Sequence, residues 1–132
     1  MKQKTILVIE DNEMNMKLMR AVLQIGNYRM LEATDAEAGL RLMKEDRPDL
    51  IFMDIQLPSM NGLAATRIIK ADPGLKDIPV FAVSGFAMES DKAKAQDMGF
   101  AGYIVKPISV KALLEMLARH FSAEQTGDEP AA

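Results

Sequence analysis

The sequence predicts an α/β protein of three layers, with a parallel five-stranded sheet between two layers of helices. The first observation is a set of four short runs that are apolar throughout, as strands buried on both faces of a sheet are. The second is the series of amphipathic stretches between and after the runs, with apolar residues at helical spacing. Strand and helix alternate, which indicates parallel strands joined by right-handed crossovers.

The apolar runs place the strands. They occupy residues 6–9, 50–53, 80–83 and 103–105. A weaker run at residues 28–31 is expected to form a fifth strand at an edge of the sheet. With the strands numbered along the chain, we expect a (βα)5 fold with the flavodoxin-like order 2-1-3-4-5.

Five helices are expected to alternate with the strands. They begin after Asn12, after a cap at Thr34 or Asp35, at residues 63 and 88, and after Ser109. The first carries an apolar stripe formed by Met14, Leu18, Val22 and Ile25. The fourth, residues 88–98, has little apolar anchoring, so it is either an easily moved element or a plain solvated helix.

The pattern of strands and helices ends near residue 122. We assign residues 1–122 to one domain, because a chain of 132 residues is long enough to bury one hydrophobic core. Residues 123–132 are polar, with Gly, Pro and Ala among them, and are expected to form a disordered tail.

Composition excludes several classes of function. The net charge of −3 argues against binding to nucleic acid or anionic membranes, which requires clustered Lys and Arg. No cysteine is present, which excludes disulfides, thiolate zinc sites and cysteine nucleophiles. No apolar run approaches the roughly 20 residues of a membrane helix, and the first residues lack the apolar core of a signal peptide. A cytoplasmic protein is therefore expected, and a monomer is the default expectation.

Polar side chains follow four of the predicted strands, at the rim where ligands bind in open parallel sheets. Glu10 and Asp11 follow the first strand, Asp54 the third, Ser84 the fourth and Lys106 the fifth. Three crowded carboxylates repel one another, and a bound cation relieves that repulsion. Since oxygen ligands with room for water suit Mg²⁺, the rim is expected to hold a magnesium ion.

The same residues suit phosphoryl transfer, which requires in-line positioning and positive charge on the phosphoryl oxygens. Mg²⁺ and Lys106 would supply the charge and Ser84 a hydroxyl donor. Asp54 would be the nucleophile, because carboxylates form acyl phosphates. Taken singly, each residue is also explained as a helix cap, a turn residue or a solvated charge, so the prediction depends on their convergence at one rim.

Four motifs give the chain its resemblance to a known family. They read ILVIEDN at residues 6–12, MDIQLP at 53–58 with Gly62 following, VSG at 83–85 and YIVKP at 103–107. In this order and spacing the chain resembles a bacterial response-regulator receiver domain, of the CheY-like fold, over residues 4–122. Within that family it is similar to the small single-domain cell-cycle regulators of the DivK type.

The resemblance implies a role for each matching residue near the metal. Asp54 would be the phospho-acceptor and, with Asp11, a direct Mg²⁺ ligand. Glu10 would act on the metal through water, and the backbone carbonyl of Gln56 would complete the metal site.

The resemblance also implies a switch. Ser84 would reorient toward the phosphoryl group, Lys106 would pair with that group, and Tyr103 would turn inward as Ser84 moves. The Lys106–Pro107 bond would be cis. By this resemblance the chain is a phospho-acceptor switch that assists its own phosphorylation and dephosphorylation, and not an enzyme.

The partners implied are proteins. A sensor histidine kinase or a histidine phosphotransfer protein would donate the phosphoryl group, docking on the first helix around Met14, Asn15 and Leu18. A downstream regulatory protein or kinase would bind the face formed by the fourth helix, the fifth strand and the fifth helix. The chain would signal by phosphorylation-dependent protein binding and not by binding DNA.

Three alternatives stay open from the sequence. A phosphatase of the haloacid dehalogenase class also uses a nucleophilic Asp, but it requires a second Asp two residues later, where this chain has Gln56. A pseudo-receiver would act only as a scaffold, and the complete set of acidic, hydroxyl and basic residues argues against it. A receiver domain excised from a hybrid histidine kinase would carry the same residues.

Overall fold

A parallel sheet of five strands lies at the centre of the molecule. The computed structural model describes residues 3–55, 62–85, 93 and 96–128, with side chains described as far as residue 122. The strand order is β2-β1-β3-β4-β5, which confirms the order expected from the sequence. The strands are β1 (Thr5–Ile9), β2 (Arg29–Ala33), β3 (Leu50–Asp54), β4 (Val80–Ser84) and β5 (Gly102–Val105).

Helices cover both faces of this sheet. In the described part of the chain they are α1 (Glu13–Ile25), α2 (Ala36–Glu45), α3 (Gly62–Ala71) and the C-terminal helix α4 (Val110–Asp128). Alternate residues of each central strand point to opposite faces, so the core divides into two clusters. One cluster contains Leu7 and Ile51 with residues of α2 and α3, and the other contains Ile6 and Phe52 with residues of α1 and α4.

Side-chain caps start three of the helices, as the sequence predicts. The Asn12 side chain accepts a hydrogen bond from the Asn15 N–H at 3.1 Å, and the Asp35 side chain accepts one from the Ala38 N–H at 2.7 Å. The Ser109 hydroxyl oxygen accepts one from the Ala112 N–H at 3.2 Å. Each cap satisfies a backbone donor that the first helical turn leaves without an intrahelical partner.

The buried face of α1 differs from the predicted stripe. The residues that face the core are Met16, Met19, Val22 and Leu23. Met14 is 75% exposed and Ile25 is 66% exposed, so of the predicted stripe only Val22 is buried. Leu18 is partly buried and packs against the core, so the prediction was wrong for Met14 and Ile25. Helix α1 is apolar on more than one face, and helical spacing alone cannot choose the face that meets the sheet.

Two predicted segments extend beyond what the structure describes. The expected fourth helix, residues 88–98, lies mostly outside the described residues, and within it residues 93, 96 and 97 are helical. The C-terminal helix continues through Asp128, so residues 123–128, which the sequence assigns to a disordered tail, extend α4 instead. None of the helices in the described ranges is both long and apolar enough to span a membrane.

Candidate functional site

The carboxyl ends of β1, β3, β4 and β5 bring the predicted site residues to one rim of the sheet. Asp54 is the last residue of β3 and Ser84 is the last residue of β4. The Ile55 N–H donates to the Val83 carbonyl at 3.1 Å, and the Lys106 N–H donates to the Ser84 carbonyl at 2.7 Å. These bonds continue the sheet beyond its strands and hold the residues that follow them in register.

Three carboxylates meet at this rim. One oxygen each from Glu10, Asp11 and Asp54 lies within 4.8 Å of the other two. Glu10 is 3% exposed and Asp54 is 2% exposed, whereas Asp11 faces solvent. Buried carboxylates require a cationic partner, and an all-oxygen donor set with one exposed member fits Mg²⁺, which keeps several waters when it binds.

Lys106 supplies one positive charge to this cluster. Its Nζ atom lies 3.1 Å from Oδ2 of Asp54 and 3.2 Å from Oε1 of Glu10. Burial alone would lower the pKa of Lys106, but the hydrogen bond and attraction of Asp54, with those of Glu10, outweigh burial and raise that pKa. The side chain is therefore an ammonium that contacts both buried carboxylates.

The surroundings of Glu10 disfavour its ionised form. Its burial, a hydrogen bond with Asp54 and the negative charge of Asp54 raise the pKa of Glu10 from 4.5 to about 7. The Asn12 N–H donates to its Oε2 atom at 3.1 Å, and this bond, with the charge of Lys106, limits the rise in pKa. Below about pH 7 the metal-free site therefore binds a proton, which a divalent cation would displace.

Replacing Glu10 with glutamine is expected to stabilise the metal-free protein at pH 8 by about 2 kcal/mol. Because the pKa of Glu10 rises from 4.5 to about 7 on folding, the folded state binds more protons between these values. The stability that Glu10 contributes is fully present below pH 4.5 and is lost as the pH rises through about 7. Glutamine resembles the protonated form and removes this loss.

Urea unfolding in EDTA at pH 5 and pH 8 measures the effect. The gain from Glu10→Gln should appear at pH 8 and shrink at pH 5, while Glu45→Gln, on the exposed side of α2, should change little. A gain of equal size at both pH values would show that the buried charge of Glu10 is not the cause.

The residues predicted for the switch and for partner docking lie outside the acidic cluster. Ser84 is fully buried, and Tyr103 is half-buried in β5 and packs against the core. The Lys106–Pro107 bond is cis, as the resemblance implies. On α1, Met14 is exposed, and Asn15 and Leu18 are half-buried. Gln56 lies outside the described residues.

Sequence reasoning missed an exposed ion-pair cluster beside the rim. Arg20 donates to both Glu32 oxygens at 2.6 and 2.7 Å and to Glu13 Oε1 at 2.9 Å. The cluster joins the first turn of α1 to the edge strand β2. Glu13 and Arg20 both lie on α1, but Glu32 comes from β2, so no spacing in the sequence indicated the whole cluster. Its exposure limits its contribution to stability.

A scan of family models gives a match over most of the chain. The model described as "Response regulator receiver domain" matches residues 6–118. The matched segment contains every residue of the rim described above.

Curated relatives give the same result. The polar-differentiation response regulator DivK of Brucella anthropi is 43% identical over 114 residues, covering 86% of this chain and 93% of that protein. DivK of Brucella ovis is 42% identical over the same shares of both chains.

Solved structures share the fold. The receiver domain of the sensor histidine kinase PA1611 from Pseudomonas aeruginosa PAO1 is 30% identical, with a TM-score of 0.80, and covers 89% of this chain and 97% of that chain. That structure has a magnesium ion coordinated in its active site cleft. Vibrio cholerae CheY4 has a TM-score of 0.84 at 23% identity, over 89% of this chain and 98% of that chain, which shows the fold alone.

Proposed function

Because the chain belongs to the response-regulator receiver family of two-component signalling, we propose that it is a switch whose Asp54 accepts a phosphoryl group from a phosphohistidine donor. The observation that carries this proposal is the position of Lys106, whose ammonium contacts both Asp54 and Glu10 within the acidic cluster. An acceptor carboxylate, a fixed cation and a set of oxygen ligands for a second cation are what phosphoryl transfer requires.

The metal would be held by Asp11, Asp54 and the carbonyl of Gln56, with Glu10 acting through water. When bound, Mg²⁺ supplies positive charge to the phosphoryl oxygens. This proposal is supported by the convergence of three carboxylates at the rim and by the magnesium ion in the receiver domain of PA1611.

The transfer step uses the chain's own carboxylate. An oxygen of Asp54 attacks phosphorus, and a P–O bond forms as the bond between phosphorus and the donor's imidazole nitrogen breaks. The imidazole leaves with the electron pair of that bond. Lys106, already an ammonium, balances the negative charge that collects on the equatorial phosphoryl oxygens.

The phosphoryl group would then act on Ser84 and Tyr103. Ser84 is the last residue of β4, the strand next to β3, and it pairs with Val105 of β5. A hydroxyl drawn toward the phosphoryl group leaves space that the half-buried ring of Tyr103 can enter. Phosphorylation would shift the equilibrium between the two arrangements by favouring one of them.

The downstream partner would bind beside Tyr103. A groove of about 270 Å³ lies between β5 and α4, lined by Tyr103, Val105, Pro107, Ala112 and Met116 among others. Movement of the tyrosine ring would change the shape of this groove. The face between β5 and α4 is therefore the part of the described structure that suits a downstream regulatory protein or kinase.

The phosphohistidine donor would bind at the start of α1. Met14 is exposed on the first turn, close in sequence to Glu10 and Asp11, and Leu18 lies one turn further along. An exposed methionine adapts to varied partner surfaces. A sensor histidine kinase or a histidine phosphotransfer protein docked there would present its imidazole to the acidic rim.

Incubation with acetyl phosphate and Mg²⁺ tests the proposed function. The intact mass of the wild type should rise by one phosphoryl group, and the gain should be absent with EDTA or in Asp54→Asn. Asp77→Asn, which changes an exposed carboxylate ahead of β4, at the opposite edge of the sheet, should gain the group normally. A wild type that binds Mg²⁺ but gains no phosphoryl group from acetyl phosphate or from a phosphorylated kinase would be a scaffold, and the proposal would fail.

A second candidate is a receiver domain that belongs to a hybrid histidine kinase. It is favoured by the 30% identity to the receiver domain of a sensor histidine kinase, whereas the 43% identity to DivK favours a separate regulator. Both use Asp54 in the same way. The rate of phosphotransfer from separate phosphorylated kinases distinguishes them, because a separate regulator is expected to accept rapidly from a kinase supplied in trans.

A further inference from the structure

Two buried polar side chains in the described residues lie outside the site described above. The buried polar residues are Thr5, Glu10, Asp54, Thr66 and Ser84. Glu10, Asp54 and Ser84 belong to the rim, and Thr5 accepts a hydrogen bond from Arg29 at 3.3 Å at the other end of the sheet. The remaining residue is Thr66, on α3, which is 0% exposed.

Thr66 is connected to the first residue of its helix. Its hydroxyl donates to the carbonyl of Gly62 at 2.7 Å. Threonine often makes this bond to the residue four positions earlier in a helix, so the bond alone assigns nothing. The hydrogen bond is of interest because Gly62 lies next to the backbone of Asp54.

Gly62 lies against the peptide that carries the phospho-acceptor. A Cβ atom at Gly62 would lie 2.6 Å from the carbonyl oxygen of Asp54 and 2.7 Å from Cα of Ile55. These are backbone atoms, which cannot turn aside as a flexible side chain can. The start of α3 and the end of β3 are thus in direct main-chain contact.

The backbone of Ile55 forms hydrogen bonds with both β4 and the start of α3. Its N–H donates to Val83 of β4 at 3.1 Å, and its carbonyl accepts from the Gly62 N–H at 3.4 Å. Ile55 directly follows Asp54 and directly precedes Gln56, the residue whose carbonyl is the proposed third metal ligand. A shift of Gly62 would therefore be transmitted to both neighbours of Ile55.

The surroundings of Thr66 do not require a hydroxyl for packing. Its neighbours on the buried face of α3 include Ala65 and Ile69, both fully buried in an apolar cluster. Valine has the same shape, and burying a hydroxyl is unfavourable unless it is hydrogen-bonded. An apolar side chain would pack equally well here, so the role of the hydroxyl is its hydrogen bond to Gly62.

We infer that Thr66 is a positioning residue for the phosphoryl-transfer site, holding Gly62 against the Asp54–Ile55 peptide. This inference rests on the proposed function of Asp54. Thr66 would act through Gly62 and Ile55 and not by touching the metal or the phosphoryl group. Groups that orient metal ligands in this way typically change metal affinity or activity by about 10-fold or more when removed.

The variants that test the inference are Thr66→Val and Thr66→Ser. Thr66→Val is expected to weaken Mg²⁺ binding about 10-fold, as measured by titration calorimetry with the metal alone, and to slow phosphorylation by acetyl phosphate at a fixed Mg²⁺ concentration. In metal-free protein, the Gly62 amide should exchange its hydrogen faster. Thr66→Ser, which keeps the hydroxyl, should restore all three properties.

Ile69→Val is the matched control, since Ile69 is buried on the same face of α3 and its truncation should lower stability without changing Mg²⁺ affinity. Wild-type Mg²⁺ affinity and Gly62 exchange in Thr66→Val, or a serine variant as impaired as the valine variant, would overturn the inference. If Thr66→Val does not fold, Thr66→Ala provides the same comparison. Failure of the wild type to accept a phosphoryl group would refute the proposed function, while calorimetry and exchange would still decide the role of Thr66.

Discussion

Replacing Lys106 with methionine is expected to reduce phosphorylation of Asp54 by about 100-fold or more. Methionine keeps much of the side-chain length but removes the ammonium that contacts Asp54 at 3.1 Å and Glu10 at 3.2 Å. The loss should appear in the rate of phosphoryl gain from acetyl phosphate at saturating Mg²⁺. Metal affinity should be unchanged or higher, because a positive charge has been taken away from the cation site.

Slower phosphorylation with unchanged Mg²⁺ binding would show that Lys106 acts in phosphoryl transfer and not in folding. Lys111→Met, in the exposed first turn of α4, is the matched control and should be phosphorylated at the wild-type rate. Near-normal phosphorylation of Lys106→Met would contradict the role assigned to the ammonium. Loss of both Mg²⁺ binding and phosphorylation would instead indicate that the rim had collapsed.

Replacing Gly62 with alanine is expected to slow phosphorylation by about 100-fold, the effect of moving a reacting group by roughly an ångström. The added methyl group would lie 2.6 Å from the Asp54 carbonyl oxygen and 2.9 Å from Cγ of Met53. Either α3 or the end of β3 must shift, and the protein should also lose about 2–3 kcal/mol of stability. Phosphorylation kinetics and urea unfolding of the same preparation measure both effects.

Gly26→Ala is the control, because its added methyl group comes equally close to its neighbours but meets side chains where that of Gly62→Ala meets backbone. Its added methyl group would lie 2.5 Å from the ring of Tyr28, at the C-terminal end of α1 and away from the rim. It should cost stability while leaving Mg²⁺ binding and phosphorylation intact. If Gly26→Ala and Gly62→Ala lose activity in proportion to their loss of stability, the contact between Gly62 and the acceptor peptide has no specific role.

The sequence predicted the sheet and the rim well, for a physical reason. Strands buried on both faces are apolar throughout, so the first polar residue after each run marks where a strand ends. Asp54 and Ser84 were found in this way. Parallel strands then bring those ends to one edge, and this part of the site follows from topology alone.

The sequence could not predict contacts that depend on packing. The stripe expected on α1 was wrong for Met14 because methionines lie on more than one face of the helix, and only contact with the sheet selects Met16 and Met19. Thr66 carried no signal because a threonine among apolar helix residues has no spacing that distinguishes it. The 3.2 Å contact between Lys106 and Glu10 likewise depends on side-chain positions that no motif specifies.

The most direct test of the account identifies the residue that is phosphorylated in the unaltered protein. Borohydride reduces an acyl phosphate to an alcohol, so treatment after incubation with acetyl phosphate and Mg²⁺ should convert a phosphorylated aspartate to homoserine. We expect homoserine at position 54, found by peptide mass spectrometry and absent when Mg²⁺ is withheld. Homoserine at Asp11, or no homoserine in a protein whose mass has risen by a phosphoryl group, would contradict it.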